Sequence, residues 1–346
     1  MTGGGATAIT DLLSVPGASS TVIEASIPYH SNALSDYLGK VPDSASSAAT
    51  ARLLAMAAWM RGRTLTGESD NIVGLGATSA LATDRNRRGS DRSFIALQTA
   101  TATIELSLEL DKMHRDRSSE ERLVADLILH TMAEYCDVKS TPPVLLADEH
   151  LLRRQHDASP SWTALLLKDR PSTYEGSQPI TLFPGAFNPI HHGHEEMILH
   201  ASHLLQSPVH LEISIDNVDK PPIDFIEMAD RQQSLGDYSV IFTCAPTFIE
   251  KARIFPGATF IIGADTAVRI ADPKYYGGSI ASRDAAIAEM HQLSVNYLVF
   301  GRTMDNKFRS LADLDLLEEL RTLCKGVDQE AFHRDVSSSE IRRDSL

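Results

Sequence analysis

Cysteine is scarce in this chain: Cys136, Cys244 and Cys324 are the only three in 346 residues, and no CxxC pair occurs. Such spacing suggests neither a disulfide framework nor a zinc site, and it suits a reducing compartment. Basic residues are also few, 32 Lys and Arg against 46 Asp and Glu, for a formal net charge of -14. That balance argues against a nucleic-acid partner or an acidic lipid surface, although one basic pocket fits inside an acidic whole. Long apolar runs are missing as well. The most apolar helical stretch, LLAMAAWM at 53–60, is followed by Arg61 and Arg63 and is far shorter than the ~20 residues a bilayer span needs. No basic-then-apolar leader is seen at the N-terminus, so a cytoplasmic protein without a membrane partner is expected. These absences direct attention to a small-molecule site.

With 42% hydrophobic residues, the chain can bury a sizeable core and is long enough for two domains. Residues 1–136 alternate small-residue-rich helical stretches with short strands such as NIVGLGAT and SFIALQTATATIELSLEL. The segment RSSEERLVADLILHTMAEYC predicts a helix, with Ser118 or Ser119 as its cap. Between 137 and 179 the proline, serine and glycine content of STPP, HDASPS and DRPSTYEGSQP reads as a linker with room for one short helix or strand. From 180 to 346 the texture changes to apolar strands followed by helices: ITLFPG, VHLEISI, SVIFTC, TFIIGAD and NYLVFGR. Strands of that kind mark a parallel sheet covered on both faces, so the expected class is α/β with two domains. In such sheets ligands bind at the carboxyl ends of the strands, near the point where the winding reverses.

One stretch on that rim stands out, LFPGAFNPIHHGH at 182–194. Gly185 lets the backbone pass close to a bound phosphate, while Phe187 and Pro189 stiffen the loop. His191, His192, Gly193 and His194 then open a helix whose free amide groups face whatever the loop holds, and an anion is the natural occupant. His191 and His194 stand three apart, on one face of the first turn, and Gly193 keeps that face open. A second stretch, VSSSEIRR at 336–343, sets Ser337, Ser338 and Ser339 at a helix start with Arg342 one turn later, a constellation suited to phosphate.

The first stretch resembles the GxFxPxHxGH signature of the nucleotidyltransferase superfamily. That superfamily includes nicotinamide and nicotinate mononucleotide adenylyltransferases, phosphopantetheine adenylyltransferase and glycerol-phosphate cytidylyltransferase. The second is similar to the ISSTxIR motif of the same superfamily, with Val336 and Ser339 as departures. The resemblance implies a Rossmann-like domain in which His191, His194 and Arg342 are catalytic and Gly185, Phe187, Gly193 and Ser337 to Ser339 bind the nucleotide. Gly263 and Asp265 are similar to its GxD element, and Arg302 ends a later strand on the same rim. Lys220 and Arg231 fall where that family holds the phosphate of the acceptor. Mg2+ is expected to travel mainly on the substrate phosphates, with ATP as substrate and no protein metal site. The aromatics of DPKYYGG, 272–278, suit either base stacking or core packing. Class I aminoacyl-tRNA synthetases share an HxGH-like motif, but neither a KMSK-type loop nor an RNA-binding domain is apparent.

The N-terminal stretch resembles the C-terminal domain of the competence-damage-induced protein A (CinA) family, whose active members deamidate nicotinamide mononucleotide. The shared features are TGG at 2–4, VPGAS at 15–19, Tyr29, Asn32, Gly39 and the loop GLGATSA. That family places Glu-Ser-Cys before TGG, where this chain has only Met1, and a lysine where this chain has Leu34. An inactive, structural domain is therefore expected, with an amidohydrolase using Thr2 or Ser31, or a chain start lying upstream, as the alternatives. The small-residue helix SSAATARLLAMAAWM suits close packing, and a homo-oligomer through this domain is the expectation. Together the two resemblances imply transfer of AMP from ATP to a nicotinamide or nicotinate mononucleotide, in NAD biosynthesis. An adenylyl- or cytidylyltransferase for another phosphorylated acceptor and a non-catalytic nucleotide-binding module remain open.

Overall fold

A computed structural model describes residues 1–68, 70–84, 89–177, 180–217, 220–304 and 307–327. They fall into two units, each built on its own sheet: one of residues 1–163 and 217–229, the other of 164–216 and the described residues from 230 onward.

The first unit runs α1 (Thr7–Leu13), α2 (Ser31–Leu38), α3 (Ala48–Thr66), β1 (Gly74–Ala80), β2 (Asp91–Gln98), β3 (Ala102–Leu110), α4 (Arg117–Tyr135) and β4 (His150–Asp157). Its strands pair antiparallel in the order β1-β2-β3-β4. Alternation sends Ile95, Leu97, Ile104 and Leu106 to one face, where they pack against Leu123, Val124, Leu127 and Ile128 of α4. The other face takes α3, which approaches β1 closely because β1 lacks side chains there. A Cβ on Gly76 would lie 2.1 Å from the Ala51 carbonyl oxygen, and one on Gly74 would lie 2.1 Å from that of Ala55. Thus Ala51 and Ala55, part of the small-residue stripe noted in the sequence, serve packing on the chain's own sheet. The cap of α4 is Asp116 rather than Ser118 or Ser119; its carboxylate accepts the Ser119 N–H at 2.8 Å. A carboxylate at a helix start also complements the positive end of the backbone dipoles, which a serine hydroxyl does only weakly.

Residues 137–179, expected to separate two domains, contain β4, which pairs with β3 along its whole length, and α5 (Pro160–Leu167). The short stretch 217–229 also belongs to the first unit.

The second unit carries β5 (Thr181–Pro184), α6 (His192–Leu205) and β6 (Val209–Ser214). Next comes α7 (Phe225–Ser234), which starts in the first unit and ends in the second. There follow β7 (Val240–Thr243), α8 (Phe248–Ile254), β8 (Thr259–Gly263), α9 (Ala264–Ala271), α10 (Ile280–Gln292) and β9 (Asn296–Phe300). A small hairpin of β10 (Arg302–Met304) and β11 (Lys307–Arg309), then α11 (Glu318–Thr322) and β12 (Cys324–Gly326), complete it. The six main strands are parallel in the order β12-β9-β8-β5-β6-β7, so the winding reverses beside β5. This is the expected α/β, Rossmann-like arrangement, and its core is formed by Leu182, Phe260, Ile262, Tyr297 and Val299 with Ile249, Phe255, Ile287 and Met290. A buried pair lies within it: Lys251 Nζ donates to Glu212 Oε1 at 2.8 Å and to the Ala245 carbonyl at 2.6 Å. Among the described residues, no helix is long and apolar enough to cross a membrane.

Candidate active site

The reversal point beside β5 opens into the loop 185–191 and the first turn of α6. Gly185 begins the loop, donating its N–H to the Glu212 carbonyl at 3.0 Å. A Cβ there would stand 2.7 Å from the Phe187 ring, so the loop folds back only because residue 185 has no side chain. Phe187 itself adopts φ +46°, an uncommon conformation for a bulky residue. Its ring is 2% exposed and packs edge-on against Phe183 and His194, with centroids 5.2 Å away in both cases. Burial of this ring gives the loop its shape and provides one wall for the second histidine.

His191 caps α6 and His194 sits in its first turn, their rings stacked at 3.6 Å between centroids. The His191 backbone N–H donates to Nδ1 of His194 at 3.3 Å, which fixes His194 with its proton on Nε2 and makes that nitrogen a hydrogen-bond donor. Gly193 is buried between them, its Cα side 3.2 Å from the His191 ring by the position a Cβ would take. Burial, then the neighbouring His191 and Arg302, push the His194 imidazole down to about 4. Burial and Arg302 lower His191 as well. Both rings are therefore neutral at neutral pH and offer polarised N–H groups without carrying charge. His192, between them in sequence, points the other way: it is exposed and pairs with Glu195 and Glu196.

Cationic groups border this turn. Arg302 opens β10 and reaches Asp265 Oδ1 at 3.3 Å, and Arg231 donates to the Ala186 carbonyl at 3.4 Å. Asp265 lies in the first turn of α9, after Gly263, whose missing Cβ would sit 2.7 Å from Asp265 Oδ1. Arg269, which the sequence reading passed over, holds the same carboxylate at 2.8 Å. Its position four residues after Asp265 on a helix was the available signal. An α-helix N-terminus, two neutral histidines and two arginines are groups whose chemistry suits phosphoryl oxygens.

The predicted residues are not all gathered here. Gly185, Phe187, His191, Gly193 and His194 form one cluster, with Arg302, Asp265, Gly263 and Arg231 tied to it or to its loop. Lys220 lies in the stretch that belongs to the first unit. Ser337, Ser338, Ser339 and Arg342 lie outside the described residues. Of the aromatics considered for stacking, Tyr276 donates its hydroxyl to the Ile270 carbonyl at 3.0 Å and packs on the core, whereas Tyr275 is exposed.

The first unit has a cleft of about 440 Å3, lined by Met1, Thr2, Gly3, Gly4, Tyr29 and Arg117 among others. Leu34 is elsewhere, buried with Leu38 and Leu54.

Residues 182–344 match the model of the cytidylyltransferase-like family, a little under half of the chain. That match supports reading residues 182–344 as a nucleotidyltransferase-superfamily domain. No curated protein matches the chain.

Proposed function

We propose that the second unit transfers a nucleotidyl group from a nucleoside triphosphate to a phosphorylated acceptor, releasing pyrophosphate. The observation that carries this reading is the stacked, neutral His191–His194 pair at the start of α6, inside the region that matches the cytidylyltransferase-like model. In the transfer, a phosphate oxygen of the acceptor attacks the α-phosphorus in line, and the bond to the bridging oxygen of pyrophosphate breaks. His194 Nε2–H and the α6 amides donate to the α-phosphoryl oxygens as charge develops on them, and Arg302 adds positive potential. A neutral imidazole with its proton on Nε2 retains one N–H for this donor role. A Mg2+ ion carried on the substrate phosphates belongs to this proposal. That ion would supply charge neutralisation at the triphosphate. Lys220 and Arg231 are proposed as acceptor-phosphate contacts, and Ser337 to Ser339 with Arg342 as the partners of the β- and γ-phosphates.

ATP with a nicotinamide or nicotinate mononucleotide is the favoured substrate pair, because the first unit resembles the CinA C-terminal domain. A cleft in this unit is lined by Thr2 to Gly4 and Tyr29, residues on which that resemblance rests. Leu34, 3% exposed in an apolar cluster, cannot take a proton, and a structural role without deamidation is proposed for this unit. The deciding assay offers the full chain ATP or CTP with each acceptor and follows pyrophosphate, dinucleotide and ammonia. Pyrophosphate and NAD or its acid analogue without ammonia is the expected result. Tight triphosphate binding with no pyrophosphate from any acceptor overturns the transferase reading.

A further inference from the structure

Among the described residues two Lys or Arg side chains are buried, Arg52 at 6% exposure and Lys251 at 5%. Arg52 of α3 donates to Asp224 Oδ2 at 2.9 Å and to Glu105 of β3, joining elements of the first unit. Lys251 of α8 has a different place. It holds Glu212 of β6, whose backbone carbonyl receives the Gly185 N–H at 3.0 Å, the bond with which the histidine loop begins. Glu212 is itself fully buried, and its Oε1 takes a second donor, the Thr243 hydroxyl at the end of β7. Lys251 Nζ reaches on to the Ala245 carbonyl at 2.6 Å, and the Ala245 N–H donates to Thr243 Oγ1 at 3.3 Å. One carboxylate oxygen therefore ties β6, β7 and α8 together, next to the strand that carries the loop.

Packing alone does not account for this arrangement. Taking an ammonium and a carboxylate out of water is unfavourable, and an apolar pair of similar volume in the same place is often as stable or more so. Here the pair is only half satisfied. Glu212 Oε2 is buried with no hydrogen-bond partner among the described residues, and a partly satisfied buried network is worse for stability than an apolar one. What the pair adds is direction: charge-assisted hydrogen bonds hold their partners at defined distances, whereas methyl groups let them slide. We propose that Lys251 and Glu212 are positioning residues for nucleotidyl transfer. They hold β6 in place, so that the Gly185 bond sets the loop, and with it His191 and His194, where the α-phosphate meets them. Neither residue has to touch a ligand. This inference rests on the nucleotidyl-transfer reading above, and every residue in it belongs to the second unit.

The test replaces the pair by apolar side chains of similar size, Glu212→Leu together with Lys251→Met, and separately removes one donor with Thr243→Val. Because the double replacement leaves no buried charge unpaired, its melting temperature should match or exceed that of the wild type. Its kcat should nevertheless fall about tenfold, with both KM values changed by less than about twofold, as lost alignment in the transition state predicts. Thr243→Val should show the same pattern at about threefold. Amide hydrogen exchange over 185–191 should accelerate in both variants, a readout that needs no substrate. A kcat within about twofold of wild type in the double variant overturns the positioning role. So does a kcat loss that comes with a large fall in melting temperature, which would assign the pair to stability. A wild type that turns over no triphosphate and acceptor overturns the transfer reading instead; accelerated exchange over 185–191 then supports the anchoring of the loop, and unchanged exchange in both variants refutes it.

Discussion

In the parallel sheet, β5, β6, β8 and β9 are buried runs whose carboxyl ends all point to one rim, whereas the antiparallel sheet sends its strands in opposite directions and ends in the exposed β4. Direction is what separates the two units chemically. Because the strands of the second unit are parallel, the connections after β5, β8 and β9 bring the His191–His194 pair, Asp265 and Arg302 together from three separate parts of the sequence. In the first unit, polar groups are instead consumed in holding elements together, as Arg52, Thr103 and Gln98 are. One sheet gathers polar groups along a rim; the other ties them up in internal order.

Three substitutions would break or sharpen that contrast. The largest effect belongs to the parallel rim: His194→Ala should lower turnover by about 100-fold or more, as loss of an oxyanion-type donor does, with an unchanged circular dichroism spectrum. Retained turnover would remove the histidine from the chemistry. Next comes the antiparallel unit, where Gly76→Ala puts a methyl 2.1 Å from the Ala51 carbonyl and should destabilise by roughly 1–3 kcal/mol through overpacking. Denaturant unfolding measures this, and a midpoint at the wild-type value would mean that α3 moves away freely. The smallest effect is expected two residues from the largest. His192→Ala, at an exposed side chain pairing with Glu195 and Glu196, should leave kcat within about twofold, since surface pairs contribute little.

The acid side of the pH profile adds a fourth test. His194 is held neutral down to about 4 against the ordinary 6.5, so the stability it contributes is whole above 6.5 and is lost as pH falls from there towards 4. The reason is that the unfolded chain takes up the proton first. The acid limb of kcat/KM should accordingly lie well below 6.5 rather than at it. Arg302→Ala removes one of the groups that depress both histidines, so the limb should move to higher pH. A limb that stays in place would show that Arg302 adds little to what burial and the neighbouring imidazole already do.

Five of the six parallel strands were readable in advance because each holds a short run of buried Val, Ile, Leu or Phe, as ITLFPG, VHLEISI, SVIFTC, TFIIGAD and NYLVFGR do, whereas β12 is the short, partly exposed Cys324–Gly326 and has no such run. The loop before α6 was readable because glycine, phenylalanine and two spaced histidines have few reasons to coincide. β4 was not. HLLRRQHD has no clean alternation, and its place is set by pairing with β3 rather than by its own side chains. The allegiance of 217–229 was equally hidden, since Arg52 and Asp224 are separated by 172 positions and nothing local couples them. The cap of α4 was misplaced by two or three residues, because Asp116, Ser118 and Ser119 are all good caps and only the backbone geometry chooses among them.

β4 also carries a consequence for the protein in crowded solution. It borders the sheet, and among the described residues no strand pairs with its outer side. Such a border is a template on which another chain can add a strand, and Leu152, 70% exposed, would favour that. Next to Leu152 stand Arg153 and Arg154, both exposed. Arg153 and Arg154 lie on opposite faces of the strand, so two copies meeting edge to edge would bring like charges towards each other on both faces. The same residues that make β4 hard to recognise as a strand are thus a gatekeeper against aggregation, and the cost of that protection is a strand with almost no apolar signature.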